Sequence, residues 1–225
     1  VEEFEFARKL ATQPLKCTCP GPVSMTAFID PHPAYTERIE AMNDMADLIN
    51  AELKRLAAAG AEFIQLDDVY QHFLMTPQTL VELYNRCTDG VEAKLGYHIC
   101  FGTHDGFHFA KRTYRGLFPA LCEARADQFA LEFGNRLMAE ADLWQEFNVP
   151  QELGAGVLDM KSFYVETPEV IAKRIRRLLE FVPVEKLALN PDCGLGRTPR
   201  HIGVPKLRAM VEGARIVRRE LTGKD

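Results

Sequence analysis

Six short apolar or β-rich runs punctuate this chain: Leu15–Cys19, Phe63–Asp67, Gly96–Phe101, Gln128–Phe133, Ala155–Asp159 and Leu187–Asn190. Longer amphipathic stretches separate them, and that alternation admits few folds. Consecutive strands joined by helix-length segments pair in parallel, because a parallel connection needs a crossover that a tight turn cannot supply. Most of the runs end in a polar or metal-ligand residue, as in a barrel whose chemistry sits at the C-terminal rim of its strands. An eight-stranded barrel takes about 250 residues. Six βα units in 225 residues therefore predict an α/β fold that is either an open sheet or a (β/α)8 barrel lacking its first two βα units.

The helical stretches carry the matching period. From Ala34 to Ala59, the residues Met42, Met45, Ala46, Ile49, Leu53 and Leu56 recur at three- and four-residue spacing, and Gly60 ends the run. The methionines are read as core packing. Thr167 and Pro168 open another helix as cap and first turn. Its Val170, Ile171, Ile175, Leu178 and Leu179 are expected to face inward, with Lys173, Arg174, Arg176 and Arg177 in water. A last helix is predicted over Pro205–Leu221.

Composition narrows the function. With 47% hydrophobic and 26% charged residues the chain reads as one soluble domain, residues 1–225. A net charge of -5 and a pI near 5.8 give no basic field for nucleic acid or an anionic membrane. No apolar run approaches the roughly 20 residues of a membrane span. The six cysteines are too irregular for a disulfide framework, so reduced thiols and a cytoplasmic location are expected. Cys17 and Cys19 lack a partner pair at zinc-ribbon spacing and are read as buried thiols. No glycine-rich phosphate loop occurs.

His98-Ile99-Cys100 sets two good zinc ligands two residues apart on a strand, hence on one face. Alone, such a pair is more often structural. Cys193 supports it, lying just after the last strand in Asn190-Pro191-Asp192-Cys193-Gly194-Leu195, where glycines let the backbone bend. Glu132 ends an otherwise apolar strand and is a fourth candidate, with a rim salt bridge as the alternative. Four such ligands would make a thiolate-rich site, suited to holding a soft sulfur substrate as thiolate.

In their order, Ile64-Gln65-Leu66-Asp67-Asp68, His98-Ile99-Cys100, Leu131-Glu132, Gly154 to Asp159 and Asn190 to Leu195 resemble the C-terminal barrel of the cobalamin-independent methionine synthases. The match runs through nearly the whole chain, and Asn-Pro-Asp-Cys-Gly-Leu is its most discriminating piece. The resemblance implies a barrel of the methionine synthase and uroporphyrinogen decarboxylase type. It makes His98, Cys100, Glu132 and Cys193 the Zn2+ ligands and Asp67 the carboxylate that binds the amino group of homocysteine. Asp68 stands where the family usually has Glu. The implied activity is methyl transfer to a thiol, with a small-molecule donor such as methyltetrahydrofolate.

Three departures bear on substrate. Phe28 falls where those synthases stack a tryptophan on folate. Lys161, in Asp159-Met160-Lys161-Ser162, stands where they carry a histidine thought to act as the acid; a lysine titrating at about 10.4 in water is a poor acid near neutrality. A rim lysine paired with Asp159 or Glu132 is the alternative. The third is the expected lack, in this sequence, of the first two βα units. His104 and His108 follow the third strand and, with Asp159 at the end of the fifth, are secondary site candidates. Two other enzyme readings stand beside the synthase: an epoxyalkane:coenzyme M transferase-like enzyme, and a metal-free uroporphyrinogen decarboxylase-like enzyme. The latter needs strand-end arginines, for which only Arg136 and Arg197 are suitably placed. A degenerate barrel that only binds is a further, non-enzymatic reading. The sequence names neither thiol, donor nor oligomeric state.

Overall fold

The computed structural model describes residues 1–27, 34–69, 75–102 and 111–224. Six strands form one sheet in chain order: β1 (Lys16–Pro20), β2 (Phe63–Val69), β3 (Lys94–Cys100), β4 (Gln128–Glu132), β5 (Glu152–Leu158) and β6 (Leu187–Pro191). Every strand overlaps the run that predicts it. β1 pairs with β2 in parallel, Cys17 opposite Ile64 and Pro20 opposite Asp67. β5 pairs with β6 in parallel, Gly156 opposite Asn190. β4 is buried throughout, and β3 and β5 are buried from their second residue on, whereas β6 is half-buried along its length. Such strands read as continuous apolar runs because both faces are covered.

Contacts divide the chain into two compact units, residues 1–99 with 117–129, and residues 100–116 with 130–225. The division falls inside β3 and β4, each of which is continuous.

In the first unit lie α1 (Glu2–Leu10), α2 (Pro22–Ala27), α3 (Arg38–Ala58) and α4 (Pro77–Thr88). α3 starts four residues later than its periodicity predicts. The Glu40 carboxylate takes the backbone N–H groups of Thr36 (2.8 Å) and Glu37 (3.1 Å), so a capping box stops the helix from extending backward. Gly60, at φ +93°, supplies the left-handed turn that ends it. Met42, Ala46, Ile49, Leu53 and Leu56 are buried as expected. Tyr84 of α4 stacks on Tyr97 of β3 with centroids 4.1 Å apart.

The second unit holds α5 (Leu143–Glu146), α6 (Pro168–Leu179) and α7 (Arg200–Thr222). α4 and α6 share one start: a threonine cap, Thr76 or Thr167, accepts the N–H three residues on, and proline fills the next position. α6 buries Ile171, Ala172, Ile175 and Leu178 against α7. Lys173, Arg176 and Arg177 reach water. Arg174 does not: its guanidinium turns inward to the Val157 carbonyl (2.5 Å) and Glu166 (3.1 Å).

Two expectations of regularity fail. Between β3 and β4 the described residues form only short 3-10 turns, at Arg115–Leu117 and Ala120–Glu123, with Gly116 and Pro119 among them; neither residue favours a helix interior. α7 begins at Arg200, five residues before the predicted start, and carries Pro205 inside it. Pro205 lies in the first two turns, so the ladder loses one bond near an end that is already under-bonded.

Candidate active site

β3 carries His98 and Cys100 on one face, both buried at 8% and 4% exposure. The chain leaves β6 through Pro191 and Asp192 and brings in Cys193. Potential ligand atoms of His98, Cys100 and Cys193 lie within 4.8 Å of one another. The Cys193 side chain hydrogen-bonded to it, burial, and the negative charge of Glu132 all push the Cys100 thiol well above its ordinary range. Two thiols this close do not ionise together unless a cation lies between them. An imidazole with two thiols is a donor set that fits zinc or a similarly borderline-soft divalent ion.

Glu132, at the end of β4, is fully buried. Its Oε1 accepts the Phe101 N–H at 2.7 Å, and its Oε2 accepts the Asn135 amide at 2.5 Å. The Lys161 ammonium donates to that same Oε2 in a buried ion pair. The Glu132 N–H is held in turn by the Tyr114 hydroxyl at 2.9 Å.

Asp192 ties the two strand ends together. Its carboxylate accepts the backbone N–H groups of Phe133 (3.0 Å), Gly134 (2.8 Å) and Asn135 (2.7 Å), and the Asn135 side-chain amide (2.8 Å). Burial and the charge of Glu132 push Asp192 up to about 7, against the pull of those donors. Gly156 is required here: a Cβ would sit 2.4 Å from an Asp192 oxygen and 2.9 Å from the Leu131 carbonyl.

Lys161 is itself positioned from below. Its N–H closes a turn on the Asp159 carboxylate at 2.9 Å. The Asp159 N–H donates to Glu166 at 2.8 Å, and its carbonyl accepts the Lys206 ammonium at 2.9 Å. Lys206 and Glu166 form a buried pair at 2.7 Å. Burial alone would raise Glu166, but Lys206 and the Asp159 N–H outweigh it and hold the carboxyl below its ordinary value.

Residues 1–216 match the family model described as cobalamin-independent synthase, catalytic domain. The chain belongs to the cobalamin-independent methionine synthase family. It is 38% identical to a methionine synthase of Saccharolobus solfataricus over 228 residues, and 35% identical to one from Thermococcus kodakarensis over 225. Those alignments cover 100% and 98% of this chain but 65% and 63% of the relatives, so the chain spans just under two thirds of their length. Among solved structures it resembles a B12-independent methionine synthase from Shewanella sp. W3-18-1 in complex with selenomethionine, with a TM-score of 0.86 at 29% identity, covering 99% of this chain and 67% of that one. The six-stranded α/β arrangement is thus the one found in that family.

Of the sequence-predicted residues, His98, Cys100 and Cys193 come together, while the Glu132 carboxylate is engaged by Lys161, Asn135 and Phe101. Asp67 is half-buried and accepts from Gln65 at 2.7 Å. Asp68 is buried, taking the Ser24 N–H (2.9 Å) and the Tyr97 hydroxyl (3.3 Å). It anchors the start of α2 rather than facing solvent. Phe28, His104 and His108 lie outside the described residues. Arg136 is occupied by Glu140 and by the rings of Phe101 and Tyr114, and Arg197 is exposed. Cys17 and Cys19 are half-buried free thiols.

Sequence reasoning passed over Asp192, Asn135, Glu166 and Lys206. One signal was present. Lys206 falls in register with Gly203, Ala209, Gly213 and Val217, the buried face of α7, and a lysine on an apolar stripe needs a buried partner.

Proposed function

We propose that this chain, as the last six βα units of a barrel, belongs to a zinc-dependent methyltransferase that methylates a small thiol, with homocysteine as the first substrate to test. The reading is carried by the convergence of His98, Cys100 and Cys193 in a chain of this family. The names of the relatives support methyl transfer as the reaction class.

When bound, zinc supplies a Lewis acid that stabilises a substrate thiol as thiolate near neutral pH. The residues of the chain do the rest. His98, Cys100 and Cys193 hold the ion, and Asp192 fixes the segment after Glu132 against the Cys193 loop. Asp67, only partly buried, is the carboxylate we assign to the amino group of an amino-acid thiol. The sulfur attacks the methyl carbon as the bond from that carbon to the donor breaks, and the donor's leaving atom takes a proton. Lys161 is engaged with Glu132 in a buried ion pair, so we assign the proton on the leaving atom to water, balancing the one the thiol releases to solvent when it becomes thiolate. Methyltetrahydrofolate is the donor to try first.

The test is zinc content together with a thiol panel on the full-length protein purified without chelator. Near-stoichiometric zinc, its loss in Cys193→Ser, and turnover of homocysteine are expected. Absence of zinc, or full retention by Cys193→Ser, would end this reading. Turnover of coenzyme M in place of homocysteine would reassign the acceptor and keep the metal.

A further inference from the structure

We propose that Lys161 turns Glu132 from a metal ligand into a buried counter-ion, leaving a three-residue donor set of His98, Cys100 and Cys193 with its fourth position free for the substrate thiol. The inference rests on the proposal that those three residues hold the metal. It begins from the occupancy of the Glu132 carboxylate. Oε1 takes the Phe101 N–H, and Oε2 takes both the Asn135 amide and the Lys161 ammonium. A carboxylate oxygen offers about two acceptor sites, so Oε2 is filled. Glu132 also stands outside the group of ligand atoms within mutual reach, which comprises His98, Cys100 and Cys193.

The pair is built rather than incidental. Both side chains are buried, at 8% exposure for Lys161 and 0% for Glu132. Lys161 has little freedom to leave, because its own N–H is fixed on Asp159. Asp159 is in turn held at its N–H by Glu166 and at its carbonyl by Lys206. A cation held in this way competes with a metal for the charge of the carboxylate. Moving Glu132 to the metal would strand the Lys161 charge in a buried position, which is strongly unfavourable.

The consequence concerns substrate entry. A site closed by four protein ligands must release one before a thiol can bind, whereas a three-ligand site keeps an open position. In this chain the carboxylate is already withheld, so thiol binding displaces no protein group.

The test is metal binding, read by competition with a chromophoric chelator and by the visible spectrum of the Co2+-substituted full-length protein. Glu132→Gln is expected to bind zinc within about threefold of wild type and to leave the Co2+ spectrum unchanged. Lys161→Met frees the carboxylate. It is expected to tighten metal binding at least tenfold, to shift the Co2+ bands as an oxygen ligand enters, and to enlarge the rise in Tm that metal produces. The opposite pattern overturns the inference: a tenfold or greater loss of affinity in Glu132→Gln with Lys161→Met indistinguishable from wild type. Should Glu132→Gln fail to fold, Lys161→Met decides alone, since it removes the buried ammonium and leaves every other partner of the site in place. Cys193→Ser runs alongside. If it keeps the metal in full, the three-residue assignment itself fails, an outcome separable from either result at Glu132 and Lys161.

Discussion

Lys206→Met is the most informative perturbation of the scaffold beneath the site. The Lys206 ammonium lies 2.7 Å from Glu166 and 2.9 Å from the Asp159 carbonyl, and its side chain is fully buried. Methionine has a similar length and fills the same space, so the loss is electrostatic rather than a cavity. Breaking a buried ion pair from one side costs about 3–5 kcal/mol, because the remaining charge is left unpaired. Here Arg174 stays 3.1 Å from the other Glu166 oxygen and the Asp159 N–H still donates to it, which places the expected loss at the lower end, about 3 kcal/mol. For a chain of this size that is a fall in Tm of roughly 6–12 °C.

The pH dependence follows from the same carboxyl. Glu166 is held below its ordinary value in the folded chain, so its stabilisation is present above the unfolded value of about 4.3 and is lost as pH falls through the lower folded value. Urea melts followed by circular dichroism should therefore show the largest gap between wild type and Lys206→Met near neutrality, closing in acid. Glu166→Gln/Lys206→Met removes both charges and should recover at least half the loss. A change below about 1 kcal/mol for the single variant, or a double variant less stable than the single, would refute the argument that this pair is a buried and mutually dependent one.

Asp68 gives a pH effect of opposite sign. Burial pushes its carboxyl up to about 6 despite the Ser24 N–H and the Tyr97 hydroxyl, so the folded state retains the proton and stability should decline as pH rises from about 4 to about 6, then level off. Asp68→Asn keeps an acceptor for Ser24 and should abolish that slope in urea melts taken across the range. Gly156→Ala forces a methyl to within 2.4 Å of Asp192 and 2.9 Å of the Leu131 backbone; we expect a loss of about 1–3 kcal/mol together with weakened metal retention, both measurable on one preparation. Thr167→Ala removes the cap of α6 and should cost about 1 kcal/mol in thermal melts while leaving metal content intact.

The strands were legible because a βα chain writes them as short apolar runs with ligand-type residues at their ends, and each run overlaps a strand. Helix limits were less so. The start of α3 is set by Glu40 reaching back to Thr36 and Glu37, a signal present in the sequence but overridden by counting apolar residues. The start of α7 was obscured by Pro205, which marks a helix boundary more often than an interior. Between β3 and β4 the alternation leads one to expect a helix, whereas the described residues form 3-10 turns that include Gly116 and Pro119.

The cluster of His98, Cys100 and Cys193 was legible for a different reason. Two of its members are neighbours on one strand, and the third lies in a motif whose glycines announce a turn. The Lys161–Glu132 pair was one of the alternatives open for that lysine; what escaped are Asp192 on residues 133–135 and Lys206 on Glu166, groups that act over long sequence separations. Periodicity marks Lys206 as a buried lysine of α7 but does not name its partner, and Asp192 and Glu166 are ordinary in their own segments. They also form one physical chain. Lys206 and Glu166 fix Asp159, the Asp159 turn fixes Lys161, Lys161 engages Glu132, and Asn135 bridges Glu132 to Asp192 beside Cys193. A buried carboxylate at a metal site is ambiguous from sequence because its role depends on which cation reaches it first. In this chain the cation that reaches Glu132 is Lys161, whose turn on Asp159 is held by Lys206 of α7; if His98, Cys100 and Cys193 hold a metal as proposed, Lys161 in place of the expected histidine would bear on coordination as much as on proton transfer.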